Sequence, residues 1–395
     1  MDSGSDESSV PRMRLRVCNG LRRLAVIALS AIIIAGLIGQ VVRDRSVVFA
    51  VLMYLPLLPA GLAAIALDLV ARGRAIPRAR FGLALLGIVA CTLPLVSMIA
   101  SGPAIVHRVD TPGVTLLHWN VQWGGGPFRS QQTWAAQRTE ILRGDPDLIV
   151  LSELPPADWL ARLTDDLGPA ASSVYLENNP GSSFWYRMGV FSRWPIRLER
   201  RVALPGGAGM SVTADVRGRR LRLLCVDGQS NPFRSRLPFL VAITDLCRAA
   251  SDAGRPFDVI VGDFNTPSRS LGFDSLLDQG YTLASRSSAG WRGTFPSWLP
   301  LYDIDHVWLG PGLMARASRV YSGPATDHRG QVVRFGPLIV GEQATDVRFD
   351  EKTSPGQSVP RRMSTLARHT PPTGRGGARR IGASASSRIL QGSAE

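Results

Sequence analysis

The sequence predicts two structured regions, an N-terminal transmembrane segment of three apolar helices followed by a soluble α/β domain. Three long apolar runs fill the N-terminal quarter of the chain, and a helix needs about 20 such residues to cross a bilayer. Beyond them, short β-branched runs alternate with helical spacing, which is typical of an α/β domain. The last part of the chain, residues 341–395, is rich in Arg, Ser and Gly and is predicted to be a disordered tail.

The composition sets limits on the class of protein. The chain has 395 residues, 45% of them hydrophobic, which is enough for a folded core. Its formal charge of +14 is typical of nucleic-acid binding, but Lys352 is the only lysine. The use of arginine almost to the exclusion of lysine indicates a coding bias as much as a binding surface. The four cysteines form no CxxC pair, so the sequence predicts neither a disulfide framework nor a zinc site.

The apolar runs predict transmembrane helices at about residues 24–42, 47–70 and 81–100. The second run contains Asp68 near its end, and prolines occur in the second and third, where neighbouring helices can satisfy the freed carbonyl groups. Buried helices of a soluble core are disfavoured because three successive helices lack a polar face. A cleaved signal peptide is disfavoured because two further runs follow the first.

The distribution of arginine predicts the orientation. Residues 1–23 end in a basic cluster, and the second loop contains Arg72, Arg74, Arg78 and Arg80. The first loop has two arginines offset by Asp44. The positive-inside rule then places the N-terminus in the cytoplasm and the chain beyond a linker at residues 101–113 outside it. We therefore expect a multi-pass protein of the cell (inner) membrane with an extracytoplasmic domain.

The α/β domain is predicted to cover residues 114–340. Its central strand is a buried β-branched run at residues 258–261, which Gly262 is expected to end. Further strands are predicted at residues 114–121, 148–151, 188–191, 212–216, 221–226 and 304–309, and helices at 131–143, 237–247 and 271–277.

Polar residues able to do phosphate or metal chemistry follow several of these strands. They are Asn120, Glu153, Asp263, Asn265, Asp305, Asp327 and His328. Each has an ordinary explanation in isolation, as a turn former, an ion-pair partner or a surface residue. Together they supply oxygen ligands for a hard divalent ion, a candidate base and a histidine beside acids. Their joint placement at strand ends favours a functional site.

Seven short motifs occur in order along this domain. They are Trp119-Asn120-Val121, Leu151-Ser152-Glu153, Gly189-Val190-Phe191-Ser192-Arg193-Trp194-Pro195-Ile196, Gly262-Asp263-Phe264-Asn265, Gly293-Thr294-Phe295-Pro296, Ile304-Asp305-His306-Val307 and Thr326-Asp327-His328. In this order they resemble the endonuclease/exonuclease/phosphatase superfamily, the deoxyribonuclease I-like proteins, and in particular membrane-anchored bacterial members. The resemblance implies an α/β four-layer sandwich, in which two β-sheets pack face to face with helices outside.

The resemblance also implies a metal site. Glu153 would be the principal ligand of Mg²⁺ (or Mn²⁺), with Asn120 and Asp327 nearby. Asp263 would activate or orient the attacking water, and Asn265 would hold that water or a phosphate oxygen.

The resemblance further implies that His328 contacts the phosphate, with Asp305 as its hydrogen-bonding partner. One position departs from the family. Where many members have a histidine after the strand at residues 221–226, this chain has Asp227. An ionised carboxylate cannot donate to a phosphate. Either Asp227 adds a metal ligand, or Gln229 or Asn231 takes the donor role, or the enzyme is weaker.

These features favour a membrane-anchored, Mg²⁺-dependent phosphoester hydrolase that acts on a lipid-linked phosphate or phosphodiester near the membrane, since tethering raises the effective concentration of membrane substrates. An exported metal-dependent endonuclease or exonuclease is the first alternative, and a catalytically weak binding module of the same fold is the second. The expected partners are the lipid bilayer and a phosphorylated lipid or nucleic-acid substrate, with no obligate protein partner. His118 and His306 are expected to pack in strands.

Overall fold

The computed structural model describes residues 9–99, 113–177, 187–288 and 290–338, with side chains from residue 18 onward. The predicted tail at residues 341–395 and most of the predicted linker lie outside these residues. All of the described residues belong to one unit, Met1–Ala344.

Four helices precede the α/β domain: α1 (Ser9–Val42), α2 (Val47–Met53), α3 (Leu57–Val70) and α4 (Gly82–Met98). Among the described residues, only Cys18–Val42, of 25 residues, is by itself long and apolar enough to cross a membrane. The second predicted span is broken, because α2 and α3 are bent by 58° at a junction that contains Pro56, which has no backbone N–H to donate. The three unbroken helices expected from the sequence are therefore replaced by one clear span, a bent pair and a shorter apolar helix of 17 residues.

The one acidic residue of these four helices, Asp68, holds the loop between α3 and α4 in place. Asp68 of α3 is fully buried, and its carboxylate accepts from the backbone N–H of Ala75 at 3.0 Å and of Ala84 at 2.8 Å. The second of these bonds satisfies an N–H in the first turn of α4, which has no partner within the helix. Asp68 therefore fixes the loop between α3 and α4.

The described residues from 113 to 338 form two six-stranded sheets and five α-helices. The strands are β1 (Val114–Asn120), β2 (Leu148–Ser152), β3 (Ser172–Glu177), β4 (Arg187–Ser192), β5 (Ile196–Leu204), β6 (Gly207–Val216), β7 (Arg219–Gly228), β8 (Val259–Asp263), β9 (Thr282–Leu283), β10 (Asp305–Leu309), β11 (Leu313–Ser322) and β12 (Arg329–Pro337). The helices are α5 (Gln122–Gly125), α6 (Gln131–Arg143), α7 (Ala157–Leu167), α8 (Leu237–Asp252) and α9 (Asp274–Asp278).

The two sheets pack face to face. Their strand orders are β11-β12-β1-β2-β4-β3 and β5-β6-β7-β8-β10-β9. Alternate residues of each strand enter different cores, because successive side chains of a strand point to opposite faces. Leu116 and Val261 meet in the core between the sheets, Leu117 packs on the α6–α7 side, and Ile260 packs on the α8 side. The expected pair of packed sheets with flanking helices is therefore confirmed.

The N-terminal helices are held to this domain through polar contacts at the end of α1. The two terminal nitrogens of Arg43 donate to the two carboxylate oxygens of Asp274, each at 2.7 Å. The neighbouring Asp44 is buried and accepts from the backbone N–H of Leu271 at 2.8 Å. A bidentate pair of this kind fixes orientation as well as distance.

Gly262 lies inside β8 rather than ending it, since the strand continues to Asp263. A Cβ placed on Gly262 would lie 1.8 Å from the carbonyl oxygen of Val226 in β7, and its φ of 153° is strained for other residues. We therefore expect Gly262→Ala to disrupt the β7–β8 pairing and lower the free energy of unfolding by roughly 3 kcal/mol. Chemical denaturation of the detergent-solubilised protein measures this change.

Gly144→Ala is the matched control, because a Cβ there would have only Val332 Cγ2 near it, at 3.9 Å. Its free energy of unfolding should stay within about 0.5 kcal/mol of the wild-type value. A Gly262→Ala variant as stable as Gly144→Ala would show that β7 and β8 are not packed this closely.

Candidate active site

The polar strand ends lie on the inner faces of the two sheets, at one end of the sandwich. In β1, His118 and Asn120 follow Leu116 at intervals of two residues, so all three face the core between the sheets. In β8, Asp263 follows Val261 in the same way. The apolar core therefore changes to a polar layer where these strands end.

Three buried carboxylates lie side by side in the second sheet. Asp263 of β8 is in register with Asp305 of β10 on one side and with Asp227 of β7 on the other. Each of the three is at most 4% exposed. Three neighbouring acids without water around them require positive charge or hydrogen-bond donors close by.

Two further acceptors follow the strands in left-handed backbone conformations, Glu153 with φ 51° and Asn265 with φ 48°. Such values are uncommon for residues other than glycine, and here they turn the chain sharply at the rim of the sheets. The Asn265 side chain donates its Nδ2 to the carbonyl oxygen of Gly228 at 2.8 Å. The second Nδ2 hydrogen and the Oδ1 atom of Asn265 are left to hold a water molecule or a phosphate oxygen, the two roles expected for this residue.

Asn120 connects the acids of the two sheets. Its Nδ2 donates to Glu153 Oε1 at 3.1 Å and to Asp263 Oδ2 at 3.0 Å, while its Oδ1 accepts from the N–H of Gln122 at 3.0 Å. The amide hydrogens of Asn120, rather than its oxygen, therefore face the carboxylates. This orientation differs from the expected metal contact, because the amide is used to hold two acids together.

Asp305 lies between two histidines. Its Oδ2 is 2.8 Å from His328 Nδ1, which is the pair expected from the sequence, and its Oδ1 is 3.3 Å from His118 Nε2. His118 Nδ1 in turn lies 3.1 Å from the carbonyl oxygen of Val150. His118 is therefore more than the packing residue expected, since it positions Asp305. The feature of the sequence that could have indicated this role is the position of His118 two residues before Asn120, on the same face of β1.

His306, by contrast, packs as expected. Its ring contacts the rings of Phe264 and Phe273 at 5.3 and 5.2 Å, and its Nε2 lies 2.7 Å from the carbonyl oxygen of Thr266. It is on the opposite face of β10 from Asp305, so it stabilises the strand behind the site.

The acids determine the charge of His328. Burial by itself would lower the pKa of His328, but Asp305 and Asp263 outweigh this effect and raise the pKa to about 10. The imidazole is therefore protonated at neutral pH. Burial opposes ionisation of Asp305, yet His328 and His118 beside it hold the pKa of this carboxyl below its usual range.

The other carboxyl groups shift in the opposite direction. Burial, reinforced by the charge of Asp305, raises the pKa of Asp263 to about 7, which suits a base that works near neutral pH. Burial also raises the pKa of Glu153, and burial together with Asp263 raises that of Asp227 well above its ordinary value.

A cleft of about 360 Å³ opens above these groups. Five of the residues expected from the sequence line it: Glu153, Asp263, Asn265, Asp327 and His328. The other three expected residues are buried and do not line the described part of the cleft: Asn120, Asp305 and Asp227.

Tyr54, at the junction between α2 and α3, forms part of the cleft wall. Its hydroxyl donates to the carbonyl oxygen of Asn265 at 2.8 Å. Tyr302 stands beside it with ring centroids 5.6 Å apart and donates its own hydroxyl to the carbonyl oxygen of Tyr54 at 2.6 Å. No local pattern could have indicated Tyr54, because it is 211 residues from Asn265 along the chain.

Residues 117–328 match the sequence profile of the endonuclease/exonuclease/phosphatase family. The chain belongs to this family. It is therefore a hydrolase of phosphoric esters, in a family whose enzymes typically depend on a divalent metal ion. No curated protein matches the sequence.

Several solved structures are similar to the chain. The human Nocturnin catalytic domain is 15% identical, with 57% of this chain and 94% of that one covered and a TM-score of 0.47. A mannosyl-6-phosphatase of Bacteroides thetaiotaomicron is 12% identical, covering 56% and 99% with a TM-score of 0.45. TDP2 of D. rerio, in complex with a single-stranded DNA product, is 14% identical, covering 57% and 100% with a TM-score of 0.44.

Arg236 supplies a second basic side chain to the cleft, besides His328. It is buried in the cleft wall, with Nη1 donating to the carbonyl oxygen of Asn231 at 2.6 Å and Nε to that of Asn265 at 3.4 Å. Asp227 and Gln229 are buried and do not line the described part of the cleft. Arg236 is therefore a cation at the cleft that the pattern of polar strand ends did not predict, because it precedes a helix rather than following a strand.

The donor set of this family member fits a divalent cation. Five carboxylates cluster at the site (Glu153, Asp227, Asp263, Asp305 and Asp327), against one imidazolium and one guanidinium. These oxygen-rich donors suit a hard divalent ion, whose charge would favour ionisation of the carboxyl groups whose pKa burial raises. The carboxylate of Asp263, the carboxylate of Asp305 and the imidazole of His328 offer ligand atoms within 4.8 Å of one another, although Asp305 and His328 already bond to each other. Glu153 and Asp327 line the cleft, where their carboxylates are accessible to an ion.

We expect Glu153→Ala and His328→Ala each to lower turnover of a phosphodiester at saturating Mg²⁺ by at least about 100-fold, since one removes a carboxylate and the other a cation at the reacting phosphate. Initial rates on a chromogenic phosphodiester measure the loss.

Asp252→Ala is the control, because Asp252 is exposed at the far end of α8. Its rate should equal that of the wild type. In the presence of EDTA the thermal midpoint of Glu153→Ala should not fall, because Ala replaces a carboxylate that burial disfavours. Near wild-type rates for either active-site variant would refute these assignments.

Proposed function

We propose that this family member is a membrane-anchored, Mg²⁺-dependent phosphoester hydrolase whose active site faces outward and acts on a lipid-linked phosphate or phosphodiester. One observation carries this proposal. Tyr54, between two apolar helices, is part of the wall of the cleft that contains His328 and the acids. A cleft walled in part by a membrane segment opens next to the bilayer surface.

The surface of the N-terminal helices supports their membrane placement. Large apolar side chains are exposed on each of the three longer helices, among them Ile27, Leu62 and Leu85. Soluble proteins rarely expose apolar surface this extensive. In the proposed arrangement, the bilayer is crossed three times, by α1, by the bent α2–α3 pair and by α4. The helices α3 and α4, which are shorter than α1, pack against it.

The two ends of α1 support the orientation. Near its N-terminus, Arg22 donates to the carbonyl oxygen of Arg74, in the arginine-rich loop between α3 and α4. At its other end, Arg43 binds Asp274 of the α/β domain. The arginine-rich end and the domain are therefore at opposite ends of the helices. The positive-inside rule then assigns the arginine-rich end to the cytoplasm and the domain to the outside.

The residues of the cleft suit hydrolysis of a phosphoester. Asp263, with a pKa raised to about 7, accepts a proton from the attacking water or orients it. His328 is held through Nδ1 by Asp305, which leaves Nε2 to donate to a phosphate oxygen. Arg236 adds a second positive charge at the wall of the cleft. Both cations act where negative charge develops during the reaction.

Glu153 and Asp327 would hold the Mg²⁺, and Mn²⁺ could take its place with the same oxygen ligands. A bound divalent ion supplies positive charge that neutralises the phosphate and favours ionisation of water. Asn120, which binds Glu153 and Asp263, keeps the ligand and the base at a fixed separation.

Exposed aromatic residues adjoin the cleft and favour a lipid substrate. Phe233 and Trp298 are 71% and 79% exposed. Phe233 follows Pro232, which lines the cleft. Trp298 follows Ser297, whose hydroxyl donates to the carbonyl oxygen of Thr326. Aromatic side chains of this kind are enriched where proteins meet the membrane surface.

We expect a panel of duplex DNA, RNA, polyprenyl diphosphate and phospholipids to show Mg²⁺-dependent release of phosphate or head group only from the lipid substrates. The measurement uses the full chain in detergent micelles, with Glu153→Ala as the inactive reference. Turnover of DNA or RNA alone would instead indicate an exported nuclease. No turnover of any substrate would favour a binding module.

The double variant Phe233→Ser/Trp298→Ser should lower turnover of a substrate embedded in vesicles by about tenfold, because two aromatic contacts with the bilayer are lost. Turnover of a short-chain, water-soluble analogue should not change. Equal loss on both substrates would mean that these residues do not contact the membrane.

For the topology, we expect an export-dependent reporter fused after Val106 to be active and the same reporter fused after Arg78 to be inactive. A cytoplasmic reporter should give the opposite pattern at the same two positions. An inactive export-dependent reporter at Val106, with an active cytoplasmic one, would refute the outward-facing site.

A further inference from the structure

A second cavity, of about 620 Å³, lies where the end of α4 meets the α/β domain, and it shares no lining residue with the active-site cleft. We call it the arginine cavity. Its lining has two chemically distinct parts. The polar part includes the guanidinium groups of Arg43, Arg269, Arg286 and Arg292. The apolar part is formed by Leu93, Val96, Ile99 and Leu277.

Positive charge in the arginine cavity exceeds negative charge. Asp274 is the one carboxylate among its described lining residues, and Arg43 binds both of its oxygens. Burial together with Arg43 lowers the pKa of Arg269. The carboxylate of Asp303 offsets part of the charge of Arg269 and Arg292, but together with Asp274 it leaves four arginines against two carboxylates, an excess that favours an anion.

Two of the arginines retain unused donor capacity. Arg292 donates its Nη2 to the carbonyl oxygen of Ser97, but its Nε is buried and has no hydrogen-bond partner among the described residues. Arg286 is exposed, and within the described part of the chain it forms no ion pair. The Nε of Arg292 is covered by protein atoms, so an anion in the cavity would accept from Arg286 and from the terminal nitrogens of the other arginines.

The apolar part continues along α4. Val96 is 66% exposed, and Val89 and Leu85 are exposed on the same face, seven and eleven residues earlier. This face begins at the arginine cavity and runs towards the other end of the helix. A ligand that fills both parts has an anionic head and an apolar tail in line with α4.

We propose that the arginine cavity binds the phosphodiester head group of an anionic glycerophospholipid, whose acyl chains lie along the exposed face of α4. The cavity is at the C-terminal end of α4, which the proposed function assigns to the outer surface of the membrane. The inference rests on that membrane placement but not on catalysis. The lipid contacts α4 and the α/β domain together, so it stabilises their docking.

The test compares binding of phosphatidylglycerol and phosphatidylcholine to the full chain in detergent micelles, by native mass spectrometry and by thermal midpoint. We expect phosphatidylglycerol to bind at least about tenfold more tightly, since phosphatidylcholine brings a cation towards the arginines. Arg286→Glu should weaken phosphatidylglycerol binding by about tenfold or more, because each basic residue contributes about a fivefold factor near an anionic head group.

Arg201→Glu is the matched control. Arg201 is exposed on β5, away from the cavity, and its substitution changes the net charge by the same amount. It should bind phosphatidylglycerol as the wild type does. Soluble glycerophosphoglycerol should compete poorly, since it lacks the acyl chains.

Equal binding of the two lipids, unchanged binding by Arg286→Glu, or competition by glycerophosphoglycerol as strong as by the lipid would each overturn the proposal. Binding is measured without turnover, so failure of the hydrolase assignment leaves this result intact. Repeating it with Glu153→Ala separates the two, because that variant should retain lipid binding.

Discussion

The concentration of negative charge at one end of the sandwich is the constraint on which the rest of the site depends. Asp227, Asp263 and Asp305 are neighbours in register and are almost completely buried. Burying a carboxylate costs on the order of several kcal/mol unless hydrogen-bond donors or cations compensate its charge. The surrounding structure supplies both, through the amide of Asn120 and the protonated ring of His328. A divalent ion, on which enzymes of the family typically depend, would complete this compensation.

Local pattern predicts much of the fold and many of the residues in the cleft. The buried run before Asp263 and the polar residues after neighbouring strands are visible in sequence, and five of the residues so chosen do line one cleft. What the sequence did not reveal depends on pairing across long separations. Tyr54 reaches the cleft because the α2–α3 junction docks on the domain, and Arg236 enters the cleft from the start of α8. The orientation of the Asn120 amide is decided by which acids surround it.

Hydropathy located the apolar N-terminal region but not its internal breaks. A window average treats residues 47–70 as one run, whereas Pro56 lies at a bend of 58° between α2 and α3. Asp68 weakens the same run in any hydropathy scale, yet it is buried because two backbone amides bind its carboxylate. In both cases the deciding interaction involves the backbone, which residue-type averages do not represent.

The bidentate contact between Arg43 and Asp274 has a geometric consequence for substrate choice. It fixes the α/β domain to the end of α1, and Tyr54 is fixed to the rim of the cleft in the same way. If α1 is anchored at a constant depth, the catalytic groups are then held at a constant height above the lipid head groups. In the proposed arrangement, phosphates displayed nearer to or farther from the bilayer than this height would be excluded even when their chemistry is suitable. An enzyme anchored in this way would therefore discriminate among substrates by the length of the spacer between lipid and phosphate.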